Sequence, residues 1–338
     1  MDTPIFEKKN VLVTGGAGFI GSHLCERLLR EAKVICLDDF SNSHSSNINH
    51  LLQYPDFEFV NCDVNKPINL ESFPELDKFK IKYQGVQEIY HLACPTSPID
   101  FEKLKMKSLW ANSSAMINTL DLAVKYRASY VFSSSSVVYG PVRDDRGVFK
   151  ETDEGILDHL SAHACYDEGK RFAETCVETY RQVYGISTKI ARIFTTYGPR
   201  MKLYQGNVIM DWITNALDGK DVVVHQDDGF AGSLCYVSDV VDALTRLMTS
   251  SDDVRLVNIG NDQVADMMDI AKRIVSMTES SSKVVLGPPI TYSAIRKGSP
   301  DLALIKEKLG WFPLIPLRDG LRKTVDYVIA NKEAMPFR

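Results

Sequence analysis

The chain has 338 residues, of which 44% are hydrophobic and 25% charged, and its formal net charge is -5. These values are ordinary for a folded protein of roughly two domains. The acidic balance argues against a nucleic-acid partner or a basic membrane-binding face, and no apolar run approaches the ~20 residues of a membrane helix. Seven scattered cysteines without a C-x-x-C pair favour free thiols and a cytoplasmic location.

Strand and helix signals alternate through the first half of the chain. Short apolar runs predict strands at residues 11–14, 33–37, 57–62, 88–92, 130–132 and 188–194, and longer amphipathic stretches predict helices at 19–30, 100–126 and 163–184. Because the first strand begins at Val11, we expect no signal peptide before it. The alternation predicts an α/β fold, with a Rossmann-type, doubly wound parallel sheet covered on both faces.

Strand and helix signals alternate less regularly after residue 195, where shorter elements and turns follow. We assign residues 1–195 to a dinucleotide-binding domain. Residues 196–338 are assigned mainly to a smaller α/β lobe that binds substrate over the strand ends, with some segments interleaved between the two.

A glycine motif separates the first strand from the first helix. Gly15, Gly18 and Gly21 follow the G-x-x-G-x-x-G spacing, which allows a tight turn and a close approach to a pyrophosphate at a helix N-terminus. Asp38 ends the second strand, where a carboxylate accepts hydrogen bonds from a ribose diol and repels a 2′-phosphate. Asp63 ends the third strand, near the expected adenine edge. The pattern predicts NAD rather than NADP; a glycine turn without a ligand is the alternative.

A second motif predicts proton abstraction from an alcohol. Tyr166 and Lys170 form Y-x-x-x-K on a predicted helix, so their side chains share one face. An ammonium beside a phenol favours the phenolate, which can act as a general base on a substrate hydroxyl. Serines 133–136 follow the fifth strand, and Ser135 is the one expected to bond the reacting oxygen. Taken singly, these motifs could also be an exposed helix face and a serine-rich turn.

A metal site is not expected. The seven histidines show neither H-E-x-x-H nor paired spacing with cysteine. His91 lies at a strand end and is predicted to be a packed or capping residue.

The chain resembles the extended short-chain dehydrogenase/reductases that modify nucleotide sugars, and within them the UDP-glucuronate decarboxylase branch. The similar segments are TGGAGFIGSHL from Thr14, HLACPTSP from His91, CYDEGKRFAET from Cys165, ARIFTTYGPRM from Ala191, YVSD from Tyr236 and LGWFPLIPLRDGL from Leu309. The glycine and Y-x-x-x-K motifs mark the superfamily, whereas HLACPTSP, YDEGKR and YGPRM are more specific to the decarboxylase branch.

The resemblance implies that NAD transiently oxidises C4 of the sugar, that carbon dioxide leaves the 4-keto-glucuronate, and that the returned hydride yields UDP-xylose. It implies Tyr166 as the base, Lys170 as the residue that tunes it, and Ser135 as the hydrogen-bond partner of O4. It also implies a homodimer formed through a four-helix bundle of the 100–126 and 163–184 helices.

Motifs and resemblance together indicate two sets of binding residues. The cofactor set is Gly15, Gly18, Phe19, Ile20, Gly21, Asp38, Asp39, Phe40, Asp63, Val64, Leu92, Ala93, Asn112, Ser133, Tyr166 and Lys170. The substrate set is Pro95, Ser97, Ser135, Tyr166, Thr195, Arg200, Asn207 and Val208. The expected substrate is a nucleotide sugar, most simply a UDP-sugar.

Four positions depart from the family pattern. Val137 stands where the decarboxylases carry a glutamate, and Thr195 replaces an asparagine. Gly232 and Gly298 align with expected arginines. One lost charged contact typically costs ~2–5 kcal/mol. We therefore expect the redox half of the site to be intact and the substrate half to be altered.

These departures keep other activities open. The SSSSVVYG segment is closer to the pattern of 4-epimerases, so a UDP-glucuronate 4-epimerase is the first alternative. A one-way 4-dehydrogenase on another nucleotide sugar and a non-catalytic NAD-binding regulator are the others. A dehydratase is disfavoured, because it would also use the glutamate that Val137 replaces.

Overall fold

The computed structural model describes residues 8–96, 100–141, 147–225, 231–251, 253–288 and 298–332. The strands are β1 (Asn10–Thr14), β2 (Lys33–Asp38), β3 (Phe57–Asn61), β4 (Glu88–His91), β5 (Ser129–Ser135), β6 (Val148–Phe149), β7 (Thr188–Ile193), β8 (Thr196–Tyr197), β9 (Val222–His225), β10 (Ala231–Ser233), β11 (Cys235–Tyr236), β12 (Leu256–Ile259), β13 (Val264–Asp266), β14 (Val284–Gly287) and β15 (Ser299–Pro300). The helices are α1 (Phe19–Leu28), α2 (Ile81–Gln84), α3 (Phe101–Ala111), α4 (Ser114–Tyr126), α5 (Ala164–Tyr184), α6 (Val208–Leu217), α7 (Val237–Met248), α8 (Met267–Met277), α9 (Ala303–Leu309) and α10 (Leu317–Asn331). Within these residues, no helix has the length and apolarity that crossing a bilayer requires.

Seven parallel strands form the central sheet, in the order β12-β7-β5-β4-β1-β2-β3, which confirms the predicted Rossmann-type sheet. Six of these strands match the sequence prediction. The seventh, β12, returns from the C-terminal part and was not predicted. It has four residues and includes the fully buried Asn258, whose side chain bonds Phe149 and Tyr139. Because a polar residue interrupts so short an apolar run, the sequence pattern does not predict this strand.

Both faces of the sheet are covered, as the continuous apolar strands predict. Leu12 of β1 belongs to a core shared with α4 and α5. Its neighbours Val11 and Val13 belong to a second core shared with α1 and α7. Adjacent residues of one strand therefore anchor helices on opposite faces.

The helix predicted over residues 100–126 is divided in two. Helix α3 ends at Ala111 and α4 begins at Ser114. The side chains of Asn112, Ser113 and Ser114 each donate to the carbonyl four residues earlier. Such bonds compete with the backbone ladder, and a run of three interrupts the helix.

Helix α5 presents two different faces. Ala173 and Val177 are buried in the core against the sheet. Phe172 is 51% exposed, so the apolar side chains of this amphipathic helix do not all pack against the sheet. The helix ends where Gly185 adopts a φ of 66°, a left-handed conformation that glycine tolerates.

A largely buried ion pair attaches α5 to the sheet. Arg192 of β7 donates to both carboxylate oxygens of Glu174, at 3.0 and 2.8 Å, and Ser134 of β5 donates to the same carboxylate at 2.5 Å. The two charged side chains are each only 12% exposed. This bidentate contact fixes the rotation of α5 about its axis.

We expect Glu174→Ala to lower the free energy of unfolding by about 3 kcal/mol, because it leaves the Arg192 guanidinium unpaired and largely buried. Urea denaturation measures this loss. The matched control is Glu178→Ala on the same helix, whose pair with Arg181 is more exposed and should cost less than about 1 kcal/mol. Equal losses in the two variants would contradict the role given to Glu174.

Candidate active site

A cavity of about 420 Å³ opens at the carboxyl ends of the central strands, where open parallel sheets bind ligands. The predicted residues that line it are Gly15, Gly18, Phe19, Ile20, Gly21, Asp38, Asp39, Asp63, Val64, Leu92, Ala93, Pro95, Ser133, Ser135, Tyr166, Lys170, Thr195, Arg200, Asn207 and Val208. Phe40 and Asn112 are not among the lining residues, and Ser97 lies outside the described residues.

The glycine turn between β1 and α1 forms one wall of the cavity. Gly15 has a φ of 70°, and its N–H donates to the Leu37 carbonyl at 2.8 Å. A Cβ on Gly21 would come 2.1 Å from the Gly15 carbonyl oxygen, so glycine is needed for α1 to approach the turn. Gly18 is the N-cap of α1 and has no side chain with which to cap the helix. The first-turn amides and the helix dipole therefore favour an anion here.

Three hydrogen bonds fix the Asp38 carboxylate at the end of β2. Its carboxylate accepts from the N–H groups of Ala17 and Phe40, at 3.0 and 2.9 Å, and from the Ser43 hydroxyl at 2.6 Å. Burial raises the pKa of this carboxyl, an effect that the three hydrogen bonds oppose. A carboxylate offers about four acceptor positions, so one remains for a ribose hydroxyl. The turn and this carboxylate together fit a dinucleotide.

The two predicted cofactor residues that do not line the cavity support ones that do. The Phe40 ring stacks on Phe59, with centroids 4.8 Å apart, while its N–H holds Asp38. Asn112 is 1% exposed and donates to the Cys94 sulfur at 3.4 Å. Both residues therefore act on the cavity through a neighbour.

Lys170 and Tyr166 meet the end of β5 in the same cavity. Lys170 is 3% exposed, and its ammonium donates to the Ser133 carbonyl at 2.8 Å. The same Nζ lies 5.8 Å from the centroid of the Tyr166 ring and 4.7 Å from that of Phe132. Burial lowers the pKa of the Lys170 ammonium, and the nearby thiol of Cys94 and a carboxylate oppose this. Since an ammonium has three donors, two remain after the bond to Ser133.

Two small residues complete this arrangement. Ser135 is half-buried, lines the cavity and accepts the Val137 N–H at 3.4 Å, which leaves its hydroxyl proton able to donate. Gly169, inside the Y-x-x-x-K motif, lies against Asn112, whose side-chain atoms would be 3.1 Å from an added Cβ. The glycine thus lets α5 approach the junction of α3 and α4.

Two of the four departures from the family pattern line the cavity, and Gly232 and Gly298 are not among its lining residues. Val137 and Thr195 line the cavity where a glutamate and an asparagine were expected. Gly232 lies in β10 and pairs with Ala265 of β13. Gly298 has a φ of 127°, and a Cβ there would lie 2.6 Å from the Phe149 ring. Backbone and neighbours therefore both disfavour a larger residue at position 298. The nearby Arg296 and Lys297 lie outside the described residues.

The structure adds cavity residues that sequence reasoning did not select. Lys107, His163 and Lys202 all line the cavity. Lys202 directly follows the YGPRM segment, so a basic residue beside a matched motif is the signal that could have identified it. His91, by contrast, is packed as predicted: it is 1% exposed, it lies 2.7 Å from the Thr14 hydroxyl, and burial lowers its pKa to about 3. The described part of the chain contains no cluster of side chains suited to a metal ion.

Comparisons with known proteins agree with this geometry. A family profile described as NAD dependent epimerase/dehydratase family matches residues 11–260. The chain is 37% identical over 314 residues to UDP-glucuronic acid decarboxylase 5 of Arabidopsis thaliana, covering 92% of this chain and 86% of that protein.

Solved structures show the same fold. The UDP-glucose 4-epimerase of Thermotoga maritima, solved with UDP-glucose, matches with a TM-score of 0.82 and 26% identity, covering 96% of this chain and 99% of that one. The UDP-glucuronic acid 4-epimerase of Bacillus cereus, solved with UDP-glucuronic acid and NAD, matches with a TM-score of 0.80 and 24% identity, covering 95% and 99%.

We expect Gly18→Val to weaken NAD binding by about ten-fold or more, because its side chain would project over the helix N-terminus, where we expect the pyrophosphate to bind. Among the described residues, and apart from the two chain neighbours, the Gly15 carbonyl oxygen at 3.1 Å is the only atom within 4 Å of a Cβ at this position. The fold should therefore survive, and the melting temperature without NAD serves as the control. Isothermal titration calorimetry measures the affinity; unchanged binding would exclude this placement of the cofactor.

Proposed function

Since this chain belongs to the NAD-dependent epimerase/dehydratase family, we propose that it is a UDP-glucuronate decarboxylase that forms UDP-xylose and carbon dioxide. The observation that carries the proposal is the meeting of Ser135, Tyr166 and Lys170 in one cavity with the glycine turn. The similarity to decarboxylases over 92% of the chain supports the choice of reaction. The cofactor is NAD.

Bound NAD supplies the hydride acceptor for the carbinol carbon C4 of the sugar and later the hydride donor. Tyr166 takes the O4 proton as the C4 ketone forms, and Ser135 donates a hydrogen bond to the same oxygen. Lys170 keeps positive charge beside the phenol, which favours the phenolate that the base requires. Because the O4 proton stays on Tyr166, the same phenol can return it when the ketone is reduced.

Decarboxylation then follows from the position of the ketone. A C4 ketone lies β to the carboxylate on C5, so the electron pair of the breaking bond enters an enolate as carbon dioxide leaves. Ser135 and Tyr166 both face the enolate oxygen and can stabilise its charge. Val137 carries no acid, so the proton that C5 receives must come from a group other than residue 137.

UDP-glucuronate 4-epimerase is the second candidate, and the absence of the glutamate at Val137 favours it. An epimerase needs the same hydride and proton transfers but no acid at this position. Incubation with UDP-glucuronate separates the candidates by product: UDP-xylose with carbon dioxide supports the decarboxylase, and UDP-galacturonate supports the epimerase. NADH that accumulates in a single turnover would indicate a one-way dehydrogenase, and no turnover at all would favour an NAD-binding regulator.

We expect Tyr166→Phe to lower turnover about a thousand-fold, because the hydroxyl that accepts the O4 proton is lost. NAD affinity and melting temperature should change little, since the ring remains. Single-turnover NADH absorbance and product analysis measure the effect. The proposed base is wrong if the variant keeps more than about a tenth of wild-type turnover.

We further propose a homodimer formed by α3, α4 and α5. Large apolar side chains on these helices are half-exposed: Leu109, Trp110, Ile117 and Phe172. Large apolar side chains exposed on adjacent helices are typical of an interface between protein chains.

Seven free cysteines also fit a reducing compartment, so we propose a cytoplasmic location.

Light scattering should give a mass twice that of the chain, and Phe172→Glu should shift it to the monomer by placing a charge in the interface. Leu314→Glu is the control, because Leu314 is also exposed but lies outside these helices. A monomeric wild-type protein, or dimers in both variants, would contradict the interface.

A further inference from the structure

The segment between β8 and α6, residues 198–207, reaches across to the dinucleotide-binding half of the cavity. Met201 and Leu203 are buried and anchor it in the core. The Pro199 carbonyl lies 3.0 Å from the His23 imidazole on α1, and Lys202 donates to the Asn42 side-chain oxygen at 3.2 Å. A loop of the substrate lobe is thus attached to the elements that follow β1 and β2.

Arg200 makes a third contact of this kind. Its guanidinium pairs with Glu26 on α1 and lies 3.3 Å from the imidazole of His50. Its backbone has a φ of 69°, a left-handed conformation that is uncommon for a residue other than glycine. The loop is therefore held in one conformation by contacts on both sides of Lys202.

Lys202 differs from Arg200 and Lys107, two other cations that line the cavity, in what neutralises its charge. Arg200 pairs with Glu26, and Lys107 lies 3.7 Å from an Asp39 carboxylate oxygen. Lys202 instead donates to the neutral amide of Asn42 and, among the described residues, forms no ion pair. The Lys202 ammonium can therefore still pair with a bound anion.

Partial burial makes that charge unfavourable without an anion. Desolvation lowers the pKa of the Lys202 ammonium, and the more distant carboxylates of Asp100 and Asp38 oppose this only in part. A negatively charged group bound against Lys202 would replace the water that burial removes. An anion bound against Lys202 would therefore gain from this partial desolvation.

The position of Asn42 indicates which anion this is. Asn42 lies four residues after Asp38, and both line the cavity together with Gly18 at the N-terminus of α1. The Asp38 carboxylate fits the adenosine ribose, and the amides of α1 fit a diphosphate. An ammonium over Asn42 would then lie beside the phosphate that follows this ribose.

We propose that Lys202 is a cofactor-binding residue that holds the adenosine-side phosphate of NAD from the substrate lobe, opposite α1. The inference rests on the NAD-dependent function proposed above. Two parts of the chain would then contact the cofactor: the N-terminal amides of α1 bind it on one side, and the 198–207 loop binds it on the other. Such a contact would retain the dinucleotide between the two hydride transfers, first from the sugar and then back to it.

The test is calorimetric titration of NAD into the full-length protein after bound cofactor has been removed. Lys202→Met keeps most of the apolar stem and removes the charge, and it should weaken NAD binding about ten-fold. Lys202→Arg keeps the charge and should recover most of the affinity. Lys220→Met is the matched control, because Lys220 is exposed and pairs with Asp218; its NAD affinity should equal that of the wild type.

Salt dependence separates a phosphate contact from a merely structural role. Added KCl should weaken NAD binding less steeply in Lys202→Met than in the wild type, because one charge contact is already gone. Equal affinity and equal salt slopes in wild type and Lys202→Met would overturn the assignment of Lys202 alone. A wild-type protein that does not bind NAD would overturn the proposed function as well.

Discussion

The catalytic side of the cavity depends on the contacts of one buried charge, the ammonium of Lys170. A charge that is 3% exposed is stable only with close partners, and here they are the Ser133 carbonyl and the faces of two aromatic rings. These partners come from β5 and α5. The helix must therefore be placed accurately on the sheet, which the contact between Glu174 and Arg192 and the small Gly169 make possible.

The two sides of the cavity are built from different kinds of structure. The redox side is formed by strand ends and by helices packed on the sheet, and the fold that carries them is similar to that of a solved UDP-glucose 4-epimerase. The substrate side includes positions just after two strands of the sheet, Val137 after β5 and Thr195 after β7. Both residues are half-exposed at the cavity surface, so they can change without disturbing the core.

Sequence reasoning recovered the features whose signals are local. The glycine turn, Asp38 at a strand end and the Y-x-x-x-K spacing each lie within one element or one turn, so a short window contains the whole pattern. The break after Ala111 was missed, because apolar periodicity continues across it while polar side chains interrupt the backbone ladder. Lys202 and Asn42 are 160 residues apart, and no local pattern predicts that they meet.

The backbone at Gly298 restricts how this protein can change in future. A φ of 127° is a conformation that side chains rarely adopt, and the Phe149 ring already occupies the space next to it. A single codon change to arginine would therefore bring strain and a clash before it brought a new contact. The arginine that the family pattern predicts at this position could therefore be introduced only together with changes in its neighbours, such as Phe149.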